Sequence, residues 1–344
     1  MTYSGLFVRG SLAQTPTQDP DGWSASPDII LYGLKPAKDP KVFVADYGTD
    51  YGSTVHWDRA NYVYLRALNT AAGALAGRAW FYHAPADLML WPRLWQASGV
   101  AVHRQHINHA PIAARTGGEV CVAGPLVWTP VRLTPPFPTD GAMCAIVWME
   151  DAPLHPPGWT PQSGNGDLST LEQLADFICG NPNMAWRNSV DVSQAGPTWR
   201  QTTAITGPAA GGQFLVGVAC SNMPTGALVS YSIPGSGDVP PVEAKNIPIW
   251  GPGASPMTTV TWPPNHSSTI TVTYNQGQAE PPTSGAALAA CVSVQVNTVG
   301  SSALRQARQA QPWRFRTARM VDHSGTYGGT DDVAVIIGSA PYQF

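Results

Sequence analysis

Three histidines recur at intervals of three residues, and imidazole nitrogens are good ligands for zinc, copper or nickel. They are His103, His106 and His109. On a strand this spacing places His103 and His109 on one face and His106 on the other, and on a helix the three spread over more than one face. No carboxylate or thiol side chain stands beside them in the sequence. The pattern therefore leaves two interpretations open, a metal site and a polar loop.

Carboxylates occur together with glycine in two further segments, residues 46–52 and 322–332. Calcium binds several oxygen atoms in a flexible loop, which either segment could supply. Neither segment matches an EF-hand or a glycine-rich calcium repeat, and Asx-type turns explain the same composition. We predict no bound cofactor, with calcium as the alternative. The candidate ligands in the second segment are Asp322, Asp331 and Asp332.

Arginine and tryptophan side chains supply the candidate contact residues. A group of arginines near the C-terminus indicates either contact with nucleic acid or a phosphoglycan, or a solvated sheet face or subunit contact. The net charge of −3 gives no general attraction to nucleic acid or anionic membranes, so we expect no nucleic-acid partner. Tryptophan rings near predicted loops either stack on sugars, seal an interface or belong to the core. The arginines are Arg305, Arg308, Arg314, Arg316 and Arg319, and the candidate contact residues are Trp91, Trp95, Arg314 and Arg316.

Motifs of the common enzyme classes are missing from the sequence. It has no P-loop, no Gly-x-Gly-x-x-Gly, no His-Glu-x-x-His, no Gly-x-Ser-x-Gly and no Cys/His zinc pattern. We therefore predict that the protein is not an enzyme. A catalytic group assembled from residues far apart in the sequence stays open as the alternative.

The composition indicates a folded chain with a nearly neutral surface. Charged residues make up 12% of the 344 residues, while 43% are apolar and 13 are tryptophan. A surface with so few charges limits the solubility of a monomer and is suited to burial between subunits. Only four of the 19 basic residues are lysine, so arginine, the cation that tolerates interfaces, dominates. We expect a homo-oligomer, with a glycan or a cell surface as a further candidate partner.

Cysteine usage and the N-terminal residues bear on the compartment. Five scattered cysteines, odd in number and never in a Cys-x-x-Cys pair, favour buried thiols over a set of disulfides. The first residues lack a basic region followed by a long apolar run, and no apolar stretch is long enough to cross a bilayer. We expect a soluble chain with no membrane span, either exported by a non-classical route or part of a particle.

The positions of these side chains depend on a fold that the sequence predicts to be all-β. Short apolar runs separated by glycine, proline, asparagine and aspartate are typical of sandwiches and barrels. We predict two tandem antiparallel β-sandwich domains, Ig-like or jelly-roll-like, with one short helix and an extended N-terminal arm. The predicted bounds are 1–25 for the arm, 26–195 for the first domain and 196–344 for the second.

Alternation of apolar and polar residues sets the predicted strands. Within residues 60–68, Val63, Leu65 and Ala67 share one face, which we assign to the core. The short helix follows Asp167 as a possible N-cap and ends at Gly180; the residues near helical spacing are Leu168, Leu171, Ala175 and Ile178. The predicted strands are 29–32, 60–68, 78–83, 127–133, 143–149, 213–219, 228–233, 258–262, 269–274, 291–298, 314–321 and 332–338.

Several stretches of the first half together resemble a known module. The resemblance is to an Ig-like β-sandwich module of large bacterial secreted or cell-surface proteins, and it covers about residues 26–192. It implies a scaffold, adhesive or stalk role and transfers no active site. The stretches are Ser26-Pro27-Asp28-Ile29-Ile30, residues 61–69, Gly77, residues 80–84, Trp91, Trp95, residues 144–147 and residues 181–188.

These observations together predict a non-enzymatic structural or assembly protein. Its β-sandwich surfaces would mediate self-association into a filament, a tube or a surface layer. The alternative is a glycan-binding adhesin or the targeting component of a secreted toxin. The oligomeric state discriminates the first class from the second.

Overall fold

The computed structural model describes residues 3–12, 14–17, 25–52, 55–102, 104–131, 143–150, 168–188, 198–251, 253–282, 286–295, 315–321 and 327–343. Within these ranges the chain consists almost wholly of β-strands in antiparallel sheets, so the all-β prediction is confirmed. Backbone contacts divide the chain into two compact units. The first comprises residues 1–85, 91–167 and 180–191, and the second comprises 86–90, 168–179 and 192–344.

This division differs from the predicted domain bounds in two ways. The last change of unit falls between Asp191 and Val192, whereas we placed the boundary after residue 195. Two short segments, 86–90 and 168–179, belong to the second unit although the first unit surrounds them in the sequence. Such excursions are set by long-range contacts and leave no mark in local composition.

The first unit contains two antiparallel sheets. Its strands are β1 Leu6–Phe7, β2 Ile29–Gly33, β3 Asn61–Asn69, β4 Leu75–Pro85, β5 Val100–Ala101, β6 His109–Ala114, β7 Val120–Trp128, β8 Met143–Glu150 and β9 Met184–Asn188, with helix α1 at Val42–Ala45 and a 3-10 turn at Pro92–Leu94. One sheet has the order β1-β3-β7-β5, with β2 also on β3, and the other has the order β6-β4-β8-β9.

The core of the first unit confirms the predicted alternation in β3. Val63, Leu65 and Ala67 are buried in one apolar cluster with residues of the other sheet, including Phe81 and Val147. The opposite face of β3 is buried as well, because residues 26–52 fold over it. This cover makes β3 a central strand with two closed faces.

The predicted N-terminal arm is partly integrated into the first unit. Leu6, Phe7 and Val8 are buried, and β1 pairs with the end of β3 through Leu6↔Asn69 and Phe7↔Leu68. These residues therefore extend a sheet. Residues 1, 2, 13 and 18–24 of the predicted arm lie outside the described residues.

The second unit also contains two groups of strands. They are β10 Thr198–Thr206, β11 Gly212–Ser221, β12 Leu228–Ile233, β13 Val242–Pro248, β14 Pro256–Trp262, β15 Ser267–Asn275, β16 Ala287–Gln295, β17 Phe315–Val321 and β18 Tyr327–Gln343. A four-stranded sheet has the order β10-β15-β12-β13. In the other group β14, β11, β16, β18 and β17 pair in turn, and β17 returns to β14 through a two-residue parallel pairing.

The helices require two corrections. Helix α2 occupies Leu171–Gly180 and begins later than predicted, because Leu168 lies before it. Asp167 lies outside the described residues, and Thr170 acts as the cap. The amide of Gln173 donates to Oγ1 of Thr170 at 3.3 Å, while Oε1 of Gln173 accepts from the amide of Thr170 at 3.1 Å. This exchange resembles a capping box. Helix α1 was not predicted, because four residues are too few to show a helical period.

Six strands of the described chain were also missed, namely β1, β5, β6, β9, β10 and β13. Most are short or polar, and β10 lies beside the glycine- and proline-rich passage that we interpreted as a boundary. No helix in the described ranges has both the length and the apolar character required to cross a bilayer.

Candidate functional site

A buried ionic network lies on the covered face of β3. The carboxylate of Asp28 accepts two hydrogen bonds from the Arg9 guanidinium, at 2.6 and 3.1 Å, and one from the Arg9 amide at 2.8 Å. Nε of Arg66 lies 3.3 Å from Oδ1 of Asp28, without the alignment of a hydrogen bond. Asp28 and Arg66 are both fully buried. One carboxylate thus compensates two guanidinium groups inside the protein.

Arg66 also holds the segment that covers this face. Its guanidinium donates to four backbone carbonyls, at distances from 2.6 to 3.2 Å. Because each carbonyl comes from a loop or helix end, one side chain supplies hydrogen bonds that no strand provides. The acceptors are the carbonyl oxygens of Pro27, Phe43, Asp46 and Thr49. The network is structural, since every described charge in it faces a partner inside the fold.

The carboxylates of residues 46–52 are engaged in the same way. Asp50 forms a two-pronged ion pair with Arg187 at 2.8 and 3.0 Å. Oδ2 of Asp46 accepts from the Thr49 hydroxyl at 2.6 Å, and the Gly52 amide donates to Asp50. These are the Asx-type turns that the sequence allows, and the described residues of this loop present no cluster of carboxylates to a cation.

The histidine run is not assembled into a ligand set in the described part of the chain. His106 is exposed in a loop, and His103 lies outside the described residues. His109 belongs to β6 and stacks on Trp80, with ring centroids 4.3 Å apart. Burial and the charge of Arg78 lower the pKa of His109, while Glu150 acts in the opposite direction. Within the described ranges no three His, Cys, Asp or Glu side chains are placed to hold a metal ion.

The structure describes little of the remaining predicted metal ligands and contact arginines. Asp331 and Asp332 lie in β18, where they pair with Arg319 and Ala318 of β17, but their side chains are not among those described. Asp322 and Arg314 lie outside the described residues, and Arg316 is described only as part of β17. The predicted metal and contact roles of these residues stay predictions.

The two predicted contact tryptophans are buried. Trp91 is 0% exposed and Trp95 is 6% exposed, and Trp95 lies 5.8 Å from the Tyr82 ring. A ring in this position presents no face for stacking on a sugar, so the burial of Trp91 and Trp95 contradicts a ligand-stacking role in this conformation. Both residues lie outside strands and helices, as we predicted, but their side chains are buried.

Two described cysteines of the first unit are unsuited to nucleophilic chemistry. Cys121 and Cys144 are buried, as the sequence predicts for thiols of this protein. Burial raises the pKa of Cys121 to about 12 and also raises the pKa of Cys144. A thiol must ionise to act as a nucleophile, so neither is activated at neutral pH.

His83 gives the first unit a predicted dependence on pH. Its Nε2 lies 2.7 Å from the carbonyl oxygen of Ser98, and its buried Nδ1 has no partner among the described residues. Burial lowers the pKa of His83, and the bond to Ser98 only partly opposes this. The folded protein therefore holds a neutral imidazole that donates through Nε2.

We expect acidification to destabilise the protein through His83. Its pKa is lower when folded than the ordinary value near 6.5, so the unfolded chain takes up the proton first as the pH falls below about 6.5. The free energy of unfolding should fall by up to about 1.4 kcal/mol per pH unit in that range. Urea denaturation at about pH 7.5 and pH 5.5 measures the loss, which His83→Gln should reduce. His106→Gln, in an exposed loop, is the matched control, and an unchanged loss in His83→Gln would contradict the assignment.

The exposed residues of the second unit offer the strongest candidate interaction surface. Strand β10 ends its sheet, pairing with β15 over its full length from Thr198↔Asn275 to Thr206↔Ser267. Within the described residues no strand pairs along its other side, apart from an isolated bridge between Asp87 and Ala204. The amide of Leu88 donates to the Ala204 carbonyl at 3.0 Å in that bridge.

This bridge shows which peptide groups of β10 point outward. The N–H and C=O of one strand residue point to the same side, and alternate residues repeat that orientation. Since the Ala204 carbonyl points away from β15, the peptide groups of Thr198, Arg200 and Thr202 do so as well. All three residues are exposed, and the described chain supplies no backbone partner on this side.

The outer face beside this edge is rich in hydroxyl groups. Oγ1 of Thr202 lies 2.8 Å from Oγ1 of Thr271, its cross-strand neighbour in β15. Ser232 of β12 is paired with the same Thr271 from the other side. A flat row of small β-branched and hydroxyl side chains suits the extended backbone and leaves the edge of β10 accessible.

The opposite edge of this sheet is protected. Strand β13 ends in Pro248, and its pairing with β12 shifts register between Val229 and Tyr231. Asn246 has a φ of 53° at this irregularity, and Lys245 and Glu243 form an exposed ion pair at 2.6 Å. Proline, bulges and charges are the devices by which edge strands avoid pairing with other chains. Of these protective features, strand β10 has only one charge, that of Arg200.

Sequence analysis missed β10, although a signal was present. Trp199, Gln201, Thr203 and Ile205 alternate with Thr198, Arg200, Thr202 and Ala204, and the first set faces inward with increasing burial toward Ile205. The alternation is weak because the inward set begins with partly exposed residues. Which edges of the sheet are open could not be read from this pattern, since strand order is set by long-range pairing.

Comparisons with known proteins do not place the chain in a family. No protein-family model and no curated protein matches it. Among solved structures, red sea bream transglutaminase aligns at 8% identity over 70% of this chain, with a TM-score of 0.17. The chain spans only 27% of the length of that transglutaminase.

Two other solved structures are covered more fully but are no more similar. An uncharacterised protein from Burkholderia cenocepacia aligns at 12% identity over 67% of this chain and 76% of its own, with a TM-score of 0.17. The CupB6 tip adhesin from Pseudomonas aeruginosa aligns at 10% identity over 68% of this chain and 85% of its own, with a TM-score of 0.14. TM-scores this low do not assign a shared fold or function.

Proposed function

We propose that this protein is a structural or assembly protein that associates with copies of itself through its β-sheet surfaces. The observation that carries the proposal is the contrast between the two edges of the β10-β15-β12-β13 sheet. Strand β13 is protected by proline, a register shift and charges, while β10 leaves exposed peptide groups on an exposed strand. Edges of this kind are sites of pairing with another chain.

The chemical state of the described side chains supports the same proposal. The charged groups Asp28, Arg9 and Arg66 are buried and paired, and the thiols of Cys121 and Cys144 are held neutral. Groups used in this way stabilise the fold. They do not form the exposed pair of an activated nucleophile and a base that covalent catalysis uses.

The charge balance of the whole chain is a second support. With 12% charged residues and a net charge of −3, copies of the chain repel one another only weakly. A structural protein of this kind loses little electrostatic energy when its surfaces are brought together. A filament, a tube or a surface layer would each use such surfaces repeatedly.

The oligomeric state of the full chain tests the proposal. We expect sedimentation velocity over a concentration series to show association that increases with protein concentration. Negative-stain microscopy should show discrete oligomers or longer assemblies. A monomer that stays monodisperse at every concentration would contradict self-association. If that monomer also bound sugars on a glycan array, the adhesin alternative would replace the proposal.

A further inference from the structure

We propose that two copies of this chain pair their β10 strands antiparallel about a twofold axis, joining two four-stranded sheets into one continuous sheet. This inference rests on the proposed function and names the surface that carries it. The partner is a second copy because the edge is complementary to itself. A twofold contact of this type uses one surface twice and closes as a dimer.

The free part of the edge is short and well defined. Outward peptide groups belong to Thr198, Arg200 and Thr202, while the Ala204 carbonyl already accepts the Leu88 amide. The amide of Thr206 is likewise taken, because it donates to Oδ1 of Asp87 at 3.0 Å. Pairing with another strand is therefore confined, in the described chain, to residues 198–202.

Geometry limits how two such edges can meet. In an antiparallel pair, outward residues of one strand face outward residues of the other and exchange both backbone hydrogen bonds. A twofold axis then allows three registers centred within the free segment. They set Arg200 opposite the Arg200, the Thr202 or the Thr198 of the second copy.

Charge and the occupied end of the edge decide between the three registers. Like charges directly opposite one another on one sheet face are destabilising, so two guanidinium groups in register would repel. The register with Thr202 would bring Thr198 of the second copy against Ala204, where the Asp87–Leu88 segment already lies. In the remaining register each Arg200 faces Thr198, and Trp199 faces the Trp199 of the second copy on the opposite sheet face, where aromatic pairs are favourable. The preferred register therefore pairs Arg200 with Thr198 twice, through four backbone hydrogen bonds.

The side chains beside the edge permit this approach. Thr198, Thr202 and Gln201 are uncharged, and β10 contains no proline and no register shift against β15. Thr202 also extends its contact with Thr271 on the outer face, so a paired sheet would present a continuous hydroxyl-rich surface. Four backbone hydrogen bonds make a reversible contact whose occupancy depends on protein concentration.

Proline at position 198 tests the edge itself. Thr198→Pro removes an outward amide, which the sheet of one copy does not use, and proline is tolerated at the first residue of an edge strand. Thr198→Val is the matched control, because it also loses the hydroxyl but keeps the amide. We expect sedimentation to show dimers for the wild-type chain and Thr198→Val, and at least a tenfold weaker association for Thr198→Pro, whose circular dichroism should remain that of a β protein.

Disulfide trapping tests the register without relying on a loss of function. Opposed residues of a non-hydrogen-bonded pair lie about 4.5 Å apart between Cα atoms, which is within disulfide range. Trp199→Cys should therefore form a covalent dimer on mild oxidation. Thr261→Cys, exposed on β14, is the control and should stay monomeric on a denaturing gel, as should the wild-type chain.

Each contrary outcome addresses a different claim. Equal association of Thr198→Pro and Thr198→Val would overturn the β10 contact while leaving self-association standing. Trapping through Arg200→Cys or Gln201→Cys in place of Trp199→Cys would overturn the register. A wild-type chain that never associates would overturn both the contact and the proposed function.

Discussion

Asp28→Ala is expected to lower the free energy of unfolding of the first unit by about 3–5 kcal/mol. The reason is that Asp28 supplies the carboxylate between Arg9 and Arg66, and all three side chains are almost completely buried. Removing it leaves two guanidinium groups close together in a region that water does not reach. Urea denaturation followed by tryptophan fluorescence measures the change.

The same substitution at an exposed carboxylate provides the control. Asp39→Ala removes one hydrogen bond, from the Lys41 amide to Oδ1, at the surface. We expect it to cost about 1 kcal/mol or less. If Asp28→Ala cost no more than Asp39→Ala, the buried network would not stabilise the fold, and Arg66 would have to be compensated by its carbonyl contacts alone.

Gly217→Ala is expected to destabilise the second unit by about 3 kcal/mol. Gly217 lies in β11, where it is paired with Met257 of β14 and Cys291 of β16. A Cβ atom there would overlap the carbonyl oxygen of Pro256 and come within 2.8 Å of Cα of Met257. Backbone atoms cannot turn aside as a side chain can, so the two strands would have to separate. Thermal unfolding of the variant measures the loss.

A glycine in open space separates this steric effect from the general effect of removing glycine. Gly251 lies in a loop of the same unit with no atom within 4 Å of a built Cβ and without a positive φ. Gly251→Ala should be neutral or slightly stabilising, because it restricts the unfolded chain. Comparable destabilisation in the two variants would show that the close approach of β14 does not fix residue 217.

The strands of the second unit show where sequence analysis is most successful. The prediction for residues 228–233 coincides with β12, and 269–274 lies within β15 with one or two further residues at each end. In both, apolar residues alternate with serine or threonine over the whole strand, so one face is marked for burial at every step. Alternation of this kind is a local signal, so it can be recognised without knowing which strands pair with one another.

The buried ionic network shows where such prediction fails. Asp28 and Arg66 are distant in the sequence, and charged side chains are expected on surfaces. Only the fold brings them together, because β2 pairs with β3 and the following segment covers the free face of β3. The module that the first half resembles includes the stretches around Asp28 and Arg66, but the resemblance did not predict that these two charges would pair.

The exposure of two predicted contact residues was wrong for a related reason. Trp91 and Trp95 were assigned to loops because proline and polar residues surround them, yet they are buried. Conversely, β10 was overlooked although its edge is the strongest candidate interaction surface of the described chain. Local composition reports whether a residue is in a loop or a strand, but exposure depends on what packs against it.

The self-association proposed for this protein therefore draws on both levels. The amino-acid sequence alone specifies an all-β chain with few charges and with strands set by alternation, because these properties depend on side chains a few residues apart. That β13 is a protected edge and β10 an open one follows only from the tertiary fold, because strand order depends on pairing between residues about 70 positions apart, such as Gln201 and Val272. An open edge is a property of the whole sheet, and no stretch of sequence contains it.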